Sequence, residues 1–254
     1  MITTDAAHGG RWTSLLVGGR EWLWRHPDPT VARARLLVAP GAEFVDAGGV
    51  EECFPTVRGE PDHGDVWTRT WRDGGVRTGS FRLTREISGG RVAYEVTGPP
   101  GAPFVHAVHA LLDVSSSAWI EAPGVAAAVL VDGGGSVPWP SGLDRLGPDD
   151  GTAVAALLPG CSEVSVVDGA DRLRLRWRVT HGAATCSLLL WRNLRGWPEG
   201  EPYRSVGIEP MLGTTADLNA GPGTPAKLGA DGRLEWELTV DNDVMAAGER
   251  SDPP

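Results

Sequence analysis

The stretch DRLRLRWRV, residues 171–179, sets Arg172, Arg174, Arg176 and Arg178 on one parity and Leu173, Leu175, Trp177 and Val179 on the other. A strand sends successive side chains to opposite faces, so this stretch is a strand with one wet face and one buried face. On a helix the arginines would be spread around the whole circumference, and no apolar stripe would remain. A segment patterned this way needs neighbours for its edges and a second apolar layer for its buried face.

The rest of the chain supplies both. SEVSVVDGADRL sets Asp-Gly between two apolar runs, and REISGGRVAYEV (85–96) does the same with Gly-Gly, the chemistry of tight hairpins. Further strands are expected at 11–17, 21–25, 32–38, 65–72, 76–85, 104–114, 184–193 and 233–242. With 35 glycines and 20 prolines as punctuation, no window of a dozen residues holds a 3.6-residue period, so very little helix is expected. The expected architecture is all-β, a large antiparallel β-sandwich. A chain of 254 residues is read as one domain, 1–254, with long surface loops at 133–150 and 218–232 and a frayed tail from about residue 243.

The net charge of -10 and the lack of any Lys/Arg stripe argue against a nucleic-acid partner, since phosphate binding needs a positive field; neutral or cationic small ligands fit better. The longest apolar run, near 124–131, is too short to cross a bilayer, and the first ten residues have no basic segment followed by an apolar core. The expectation is a soluble, cytoplasmic protein without a membrane partner, as a monomer or a homodimer. Cys53, Cys161 and Cys186 are odd in number and lack C-x-x-C spacing, which points to buried free thiols. His106 and His109 lie three apart in a strand and so face opposite ways, which argues against a paired metal site. Neither a metal nor an organic cofactor is expected.

Tryptophan supplies 11 of the 17 aromatic residues. Indole faces stack on the C–H faces of sugars, although roughly three quarters of these residues are expected in the core. A second polar concentration occurs at GGVEECFPTV (48–57) and PDHGDVWTRTW (61–71), where Glu51, Glu52, Asp62 and His63 lead to Trp67, Arg69 and Trp71. Such density beside strand ends reads as the rim of a site or as a solvated acidic loop.

The order of these motifs resembles that of the aldose 1-epimerase, or galactose mutarotase-like, family in its shorter bacterial branch. GGRWTSLLVGGREWLW is similar to that family's first hairpin, GGVEECFPTV to its Gly-x-Asp-Glu-x-x-Pro-Thr segment, and DHGDVWTRTW to its histidine-glycine motif with a following arginine and tryptophan. HALLDV and SVGIEPMLG stand where the family has its second histidine and its late glutamate. The resemblance implies a mutarotase-like supersandwich with a sugar in an open cleft, and an isomerase that interconverts α and β anomers. It assigns Glu209 as the base at the anomeric hydroxyl, His109 as the acid at the ring oxygen and His63 as their support. Arg69, with Glu52 and Trp67 of the rim and Arg192 and Trp197 of the loop before Glu209, would contact the sugar. On this reading the carboxylate and the imidazole work from opposite sides of the ring, without a covalent intermediate. A non-catalytic sugar-binding protein, or another epimerase or a lyase on the same fold, are the alternatives.

Overall fold

The alternation at 171–179 folds as read. The strand Asp171–His181 buries Leu173, Leu175 and Trp177, and its arginines pair across the opposite face with carboxylates of neighbouring strands: Arg172 with Glu121, Arg174 with Glu163 and Arg176 with Asp241. This is a computed structural model, and it describes residues 1–133, 135–220 and 223–242. The expected tail from about 243 lies outside the described residues.

Asp171–His181 belongs to a seven-stranded antiparallel sheet that runs Trp119–Glu121, Glu163–Asp168, Asp171–His181, Arg233–Asp241, Arg91–Thr97, Phe81–Ser88 and Gly75–Thr78. Both expected hairpins are present in it, at Gly169 and at Gly89-Gly90. A ten-stranded sheet faces it, with the path Ile2–Asp5, Arg11–Val17, Val50–Cys53, His106–Leu112, Tyr203–Leu212, Cys186–Trp197, Thr152–Pro159, Ala127–Leu130 and Ser136–Pro138, and with Arg20–Glu21 paired beside Arg11–Val17. One apolar core lies between the sheets, built from Leu173, Leu175, Trp177, Leu234, Trp236 and Leu238 on one side and Val108, Leu112, Leu188, Leu190, Val206 and Ile208 on the other. The architecture is the expected antiparallel sandwich.

The two sheets differ in what they bury. Arg233–Asp241 alternates between buried and half-exposed positions, whereas His106–Leu112 is buried along its whole length. The ten-stranded sheet is therefore covered on both faces near its middle. On the face turned away from the sandwich core, Cys53, Val57, Val105, Ala107, Leu157, Leu189, Met211 and Ala216 form a second apolar cluster, and the cleft described below opens beside it.

Of the expected strand 21–25 only Glu21 lies in a strand, followed by isolated bridges at Leu23 and Arg25, and two further expected strands are not strands. Residues 32–38 lie largely in the helix Pro29–Arg35: Asp28 caps it by accepting from the Thr30 N–H, and Pro29 opens the first turn with its φ already set. Arg33 and Arg35 alternate with alanine as a strand would, but the cap decides. Residues 65–72 form a short 3₁₀ turn, Val66–Thr68, which lets Trp67 bury its ring and donate its indole N–H to the Gly64 carbonyl at 3.0 Å. The expected strand 76–85 breaks into a hairpin at Gly79 and Ser80. Six of the eleven tryptophans are buried, fewer than expected, because Trp24, Trp191 and Trp197 gather with Tyr203 at the cleft end. The three cysteines are free.

Candidate active site

Parity builds the site. On Tyr203–Leu212 the even positions Val206, Ile208 and Leu212 enter the sandwich core, so Gly207, Glu209 and Met211 point the other way. On His106–Leu112 the same rule sends Val108, Ala110 and Leu112 inward and His109 outward. The two strands pair as Gly207↔Leu111 and Met211↔Ala107, and that register places Glu209 directly across from His109. Pro210, which has no N–H to give, sits where the pairing is interrupted.

His109 Nδ1 lies 2.9 Å from Glu209 Oε1, and the two side chains are 7% and 1% exposed. The contact is an ion pair without hydrogen-bond alignment, so His109 Nδ1 and the second carboxylate oxygen, Glu209 Oε2, are both buried and have no hydrogen-bond partner among the described residues. Burial by itself would lower the imidazole pKa. The charge of Glu209, helped by Asp46 and Glu51, outweighs burial and raises it to about 8, so at neutral pH His109 is an imidazolium.

Gly207 makes room for this carboxylate. A Cβ at residue 207 would lie 2.6 Å from Glu209 Oε1 and 3.0 Å from the Trp191 Cβ, so any side chain there would push the acid out of place.

His63 approaches from the loop side, with its ring centroid 5.2 Å from that of His109 and its ring stacked on Phe44 at 3.6 Å. Its backbone is left-handed, with φ of 59°, a costly conformation for a residue with a Cβ. Gly64 follows with φ of 69°, and a Cβ there would meet the Phe54 carbonyl oxygen at 2.1 Å. His63 Nδ1 is 2.9 Å from Asp62 Oδ2. Burial keeps its pKa below the usual value, with the His109 charge adding to that and the Asp62 bond opposing it. The cleft thus holds one charged and one neutral imidazole side by side.

The cleft has a volume of about 590 Å³, with Leu189, Trp191 and Trp197 as its apolar wall. Buried Asn193 shapes that wall: its side chain accepts from the Gly196 and Trp197 N–H groups and donates to the Trp197 carbonyl, leaving the Trp197 indole 46% exposed at the rim.

Of the eight residues singled out in the sequence, Glu209, His109, His63 and Trp197 line this cleft, and the other four do not. Glu52 is one residue out of phase with the cleft. It is fully buried between the sheets, where it pairs with Arg85, accepts from Tyr94 and Trp12 and contacts His106 Nε2 at 3.1 Å. Trp236 donates to His106 Nδ1, which identifies His106 as the core histidine and His109 as the cleft histidine. Trp67 lies beneath Phe44, between Phe44 and the Arg35 guanidinium, and is fully buried. Arg69 is engaged by Asp65 at 2.6 Å, outside the cleft. Arg192 points to the sandwich side and is held by the Arg145 carbonyl, Thr152 and Asp150.

Glu51, the neighbour of Glu52, does share the parity of the cleft, but both of its oxygens are held by the buried Arg35, at 2.7 and 2.8 Å. Phe44, Asp46 and Trp191 were not picked out in the sequence. Trp191 carries a signal, since it shares parity with Leu189 two residues away on one strand. Phe44 and Asp46 lie in the loop after the helix and carry none.

Neither a family model nor a curated protein matches the chain. Solved structures do: the fold is that of the galactose mutarotase-like proteins. A galactose mutarotase-like protein from Lactobacillus casei ATCC 334 aligns over 95% of this chain and 100% of its own, with a TM-score of 0.62 and 14% identity. A candidate aldose 1-epimerase from Escherichia coli K12 aligns over 95% of both chains, with a TM-score of 0.64 and 16% identity. The Slr1438 protein of Synechocystis sp. PCC 6803 aligns over 95% of this chain and 92% of its own, with a TM-score of 0.67 and 14% identity. Similarity at this level of identity establishes the fold.

Proposed function

We propose that the cleft is the active site of an aldose 1-epimerase, which interconverts the α and β anomers of a sugar without a cofactor. The observation that carries this reading is the 2.9 Å contact of His109 Nδ1 with Glu209 Oε1 in the cleft, with the second carboxylate oxygen, Glu209 Oε2, buried and without a hydrogen-bond partner among the described residues. In a cyclic aldose the anomeric hydroxyl O1 and the ring oxygen O5 are bonded to one carbon. An acid and a base in contact therefore suit the reaction better than groups on opposite sides of the ring, and this amends the arrangement expected from the sequence.

Glu209 Oε2 takes the proton from O1 while imidazolium His109 gives its proton to O5. The C1–O5 bond breaks, its electron pair stays on O5, and C1 becomes the aldehyde carbon. Rotation about C1–C2 presents the other face, and the same transfers in reverse close the ring as the opposite anomer. His109 stands ready as the acid at neutral pH, because Glu209 beside it favours the imidazolium. Positioned proton transfers of this kind contribute about 10²–10⁴-fold each. His63, uncharged and bonded to Asp62, is suited to holding a sugar hydroxyl, and Trp191 and Trp197 offer faces to the ring C–H groups.

The test is NMR observation of anomer exchange in freshly dissolved single-anomer aldoses, with and without the protein. Acceleration supports the reading. Sugar binding without acceleration across a panel of aldoses would leave a binding protein on the same fold.

A further inference from the structure

The cleft is rich in carboxylates. Five carboxylates line it against a single guanidinium. Arg58 is matched by Asp132 at 3.7 Å, and His109 by Glu209. His63 is held neutral, so the charge of Asp62 stays uncancelled, and Glu43 adds another at the exposed rim. Asp46 is the most informative of the five. Its Oδ2 accepts from the Tyr203 hydroxyl at 2.8 Å, and its Oδ1 is buried with no hydrogen-bond partner among the described residues. In the same cleft, Glu209 is 1% exposed and also has an unpartnered oxygen. A neighbouring recess of about 480 Å³ shares Arg58, Asp62 and Asp132 with the cleft and adds Asp217, so the approach is acidic as well. The chain has one lysine, Lys227, and it lies in a short strand away from the cleft lining.

A phosphate or carboxylate entering here would give up water for a net negative field in which the one guanidinium of the lining, Arg58, already has Asp132 beside it. An ammonium would gain what an anion loses, and it has three donors for orphaned acceptors. We propose that the sugar taken by this cleft is an amino sugar, an aldose whose ammonium lies against Asp46, and that phosphorylated and carboxylated sugars are excluded. This rests on the anomerase reading of the same cleft. Asp46 lines the same cleft as His109 and Glu209, so one bound sugar can present its ammonium to Asp46 and its reducing end to the pair. The aromatic wall adds faces that attract a cation.

The experiment titrates the protein with glucosamine, glucose and glucose 6-phosphate at neutral pH, reading tryptophan emission from Trp191 and Trp197, and follows anomer exchange in the same samples. Glucosamine should half-saturate at a concentration about tenfold or more below that of either other sugar, and the gap should narrow as salt is added. Asp46→Asn should lower the glucosamine-to-glucose preference about tenfold. Glucose 6-phosphate binding as tightly as glucosamine overturns the proposal, as does a preference unmoved in Asp46→Asn. The ranking in the unmutated protein decides even if that variant does not fold. Exchange separates the two readings: the predicted ranking without exchange sinks the anomerase and keeps the selectivity, while exchange of glucose 6-phosphate with glucosamine inert does the reverse.

Discussion

Glu209 and His109 each make sense only through the other. A carboxylate 1% exposed is costly unless it is compensated, and its compensation here is an imidazole that burial alone would have neutralised. Glu209→Gln removes the counter-ion, so the His109 pKa should fall from about 8 to below its ordinary 6.5, a shift that ¹H–¹⁵N NMR titration of the ring measures. Because the folded pKa is raised, the pair contributes stability that is fully present below pH 6.5 and is lost as pH rises through about 8. The acid function should fade over the same range, giving an alkaline limb near pH 8 in kcat/KM. His63 has the opposite sign: its depressed pKa means that stability is lost as pH falls below 6.5. Gly207 is a positioning residue. Gly207→Ala should lower kcat by about tenfold or more while circular dichroism and KM change little, since the new methyl displaces the carboxylate and leaves the sugar contacts intact. A kcat unchanged in that variant would show that the carboxylate has slack.

Among the elements, the helix Pro29–Arg35 has the most distant effect on the cleft. Its last residue, Arg35, is fully buried, holds both oxygens of Glu51 and donates to the Trp67 and His8 carbonyls. Those bonds fix the base on which Phe44 lies against His63. Arg35→Met leaves the Glu51 charge with Arg11 alone, at 3.3 Å, and should destabilise the fold in chemical denaturation; adding Glu51→Gln should restore much of the loss. This element was also the hardest to read in the sequence. ARAR carries the period-two alternation of a strand, and only Asp28-Pro29 ahead of it announces a helix. The strands were legible because each needs only local alternation, as at 171–179, and parity correctly separated His106 from His109. Parity would also have separated Glu51 from Glu52, had the strand been phased against its neighbours. Arg69 and Arg192 were misplaced for a different reason: a sequence shows that an arginine exists, while Asp65 and Asp150, which hold these two, become visible only in three dimensions.

At the scale of the whole molecule, the sandwich gives the cleft a rigid floor and the apolar wall on Cys186–Trp197, and leaves the side bearing Phe44, Asp46 and His63 to loops. The three strands that carry Glu209, His109 and Trp191 lie side by side at the centre of the ten-stranded sheet and are covered on both faces. Hydrogen exchange should therefore be slowest in His106–Leu112 and Tyr203–Leu212 and fastest at the outer strands Ser136–Pro138 and Gly75–Thr78, with the loop bearing Phe44 and Asp46 near the fast end. Rapid exchange in the two central strands would contradict this picture of the site. The Glu52, Arg85 and His106 group between the sheets belongs to this scale as well, since it ties the central strands to the facing sheet without touching the cleft.

The central claim is that Glu209 and His109 act as one unit on two oxygens of one carbon. Its most direct test is the kcat/KM of anomer exchange for the protein, Glu209→Gln, His109→Asn and the double variant. Each single change should lower the rate constant about 10²-fold or more, and the double variant should fall little below the worse single. Exchange that persists in Glu209→Gln, or losses that simply multiply in the double variant, would contradict it.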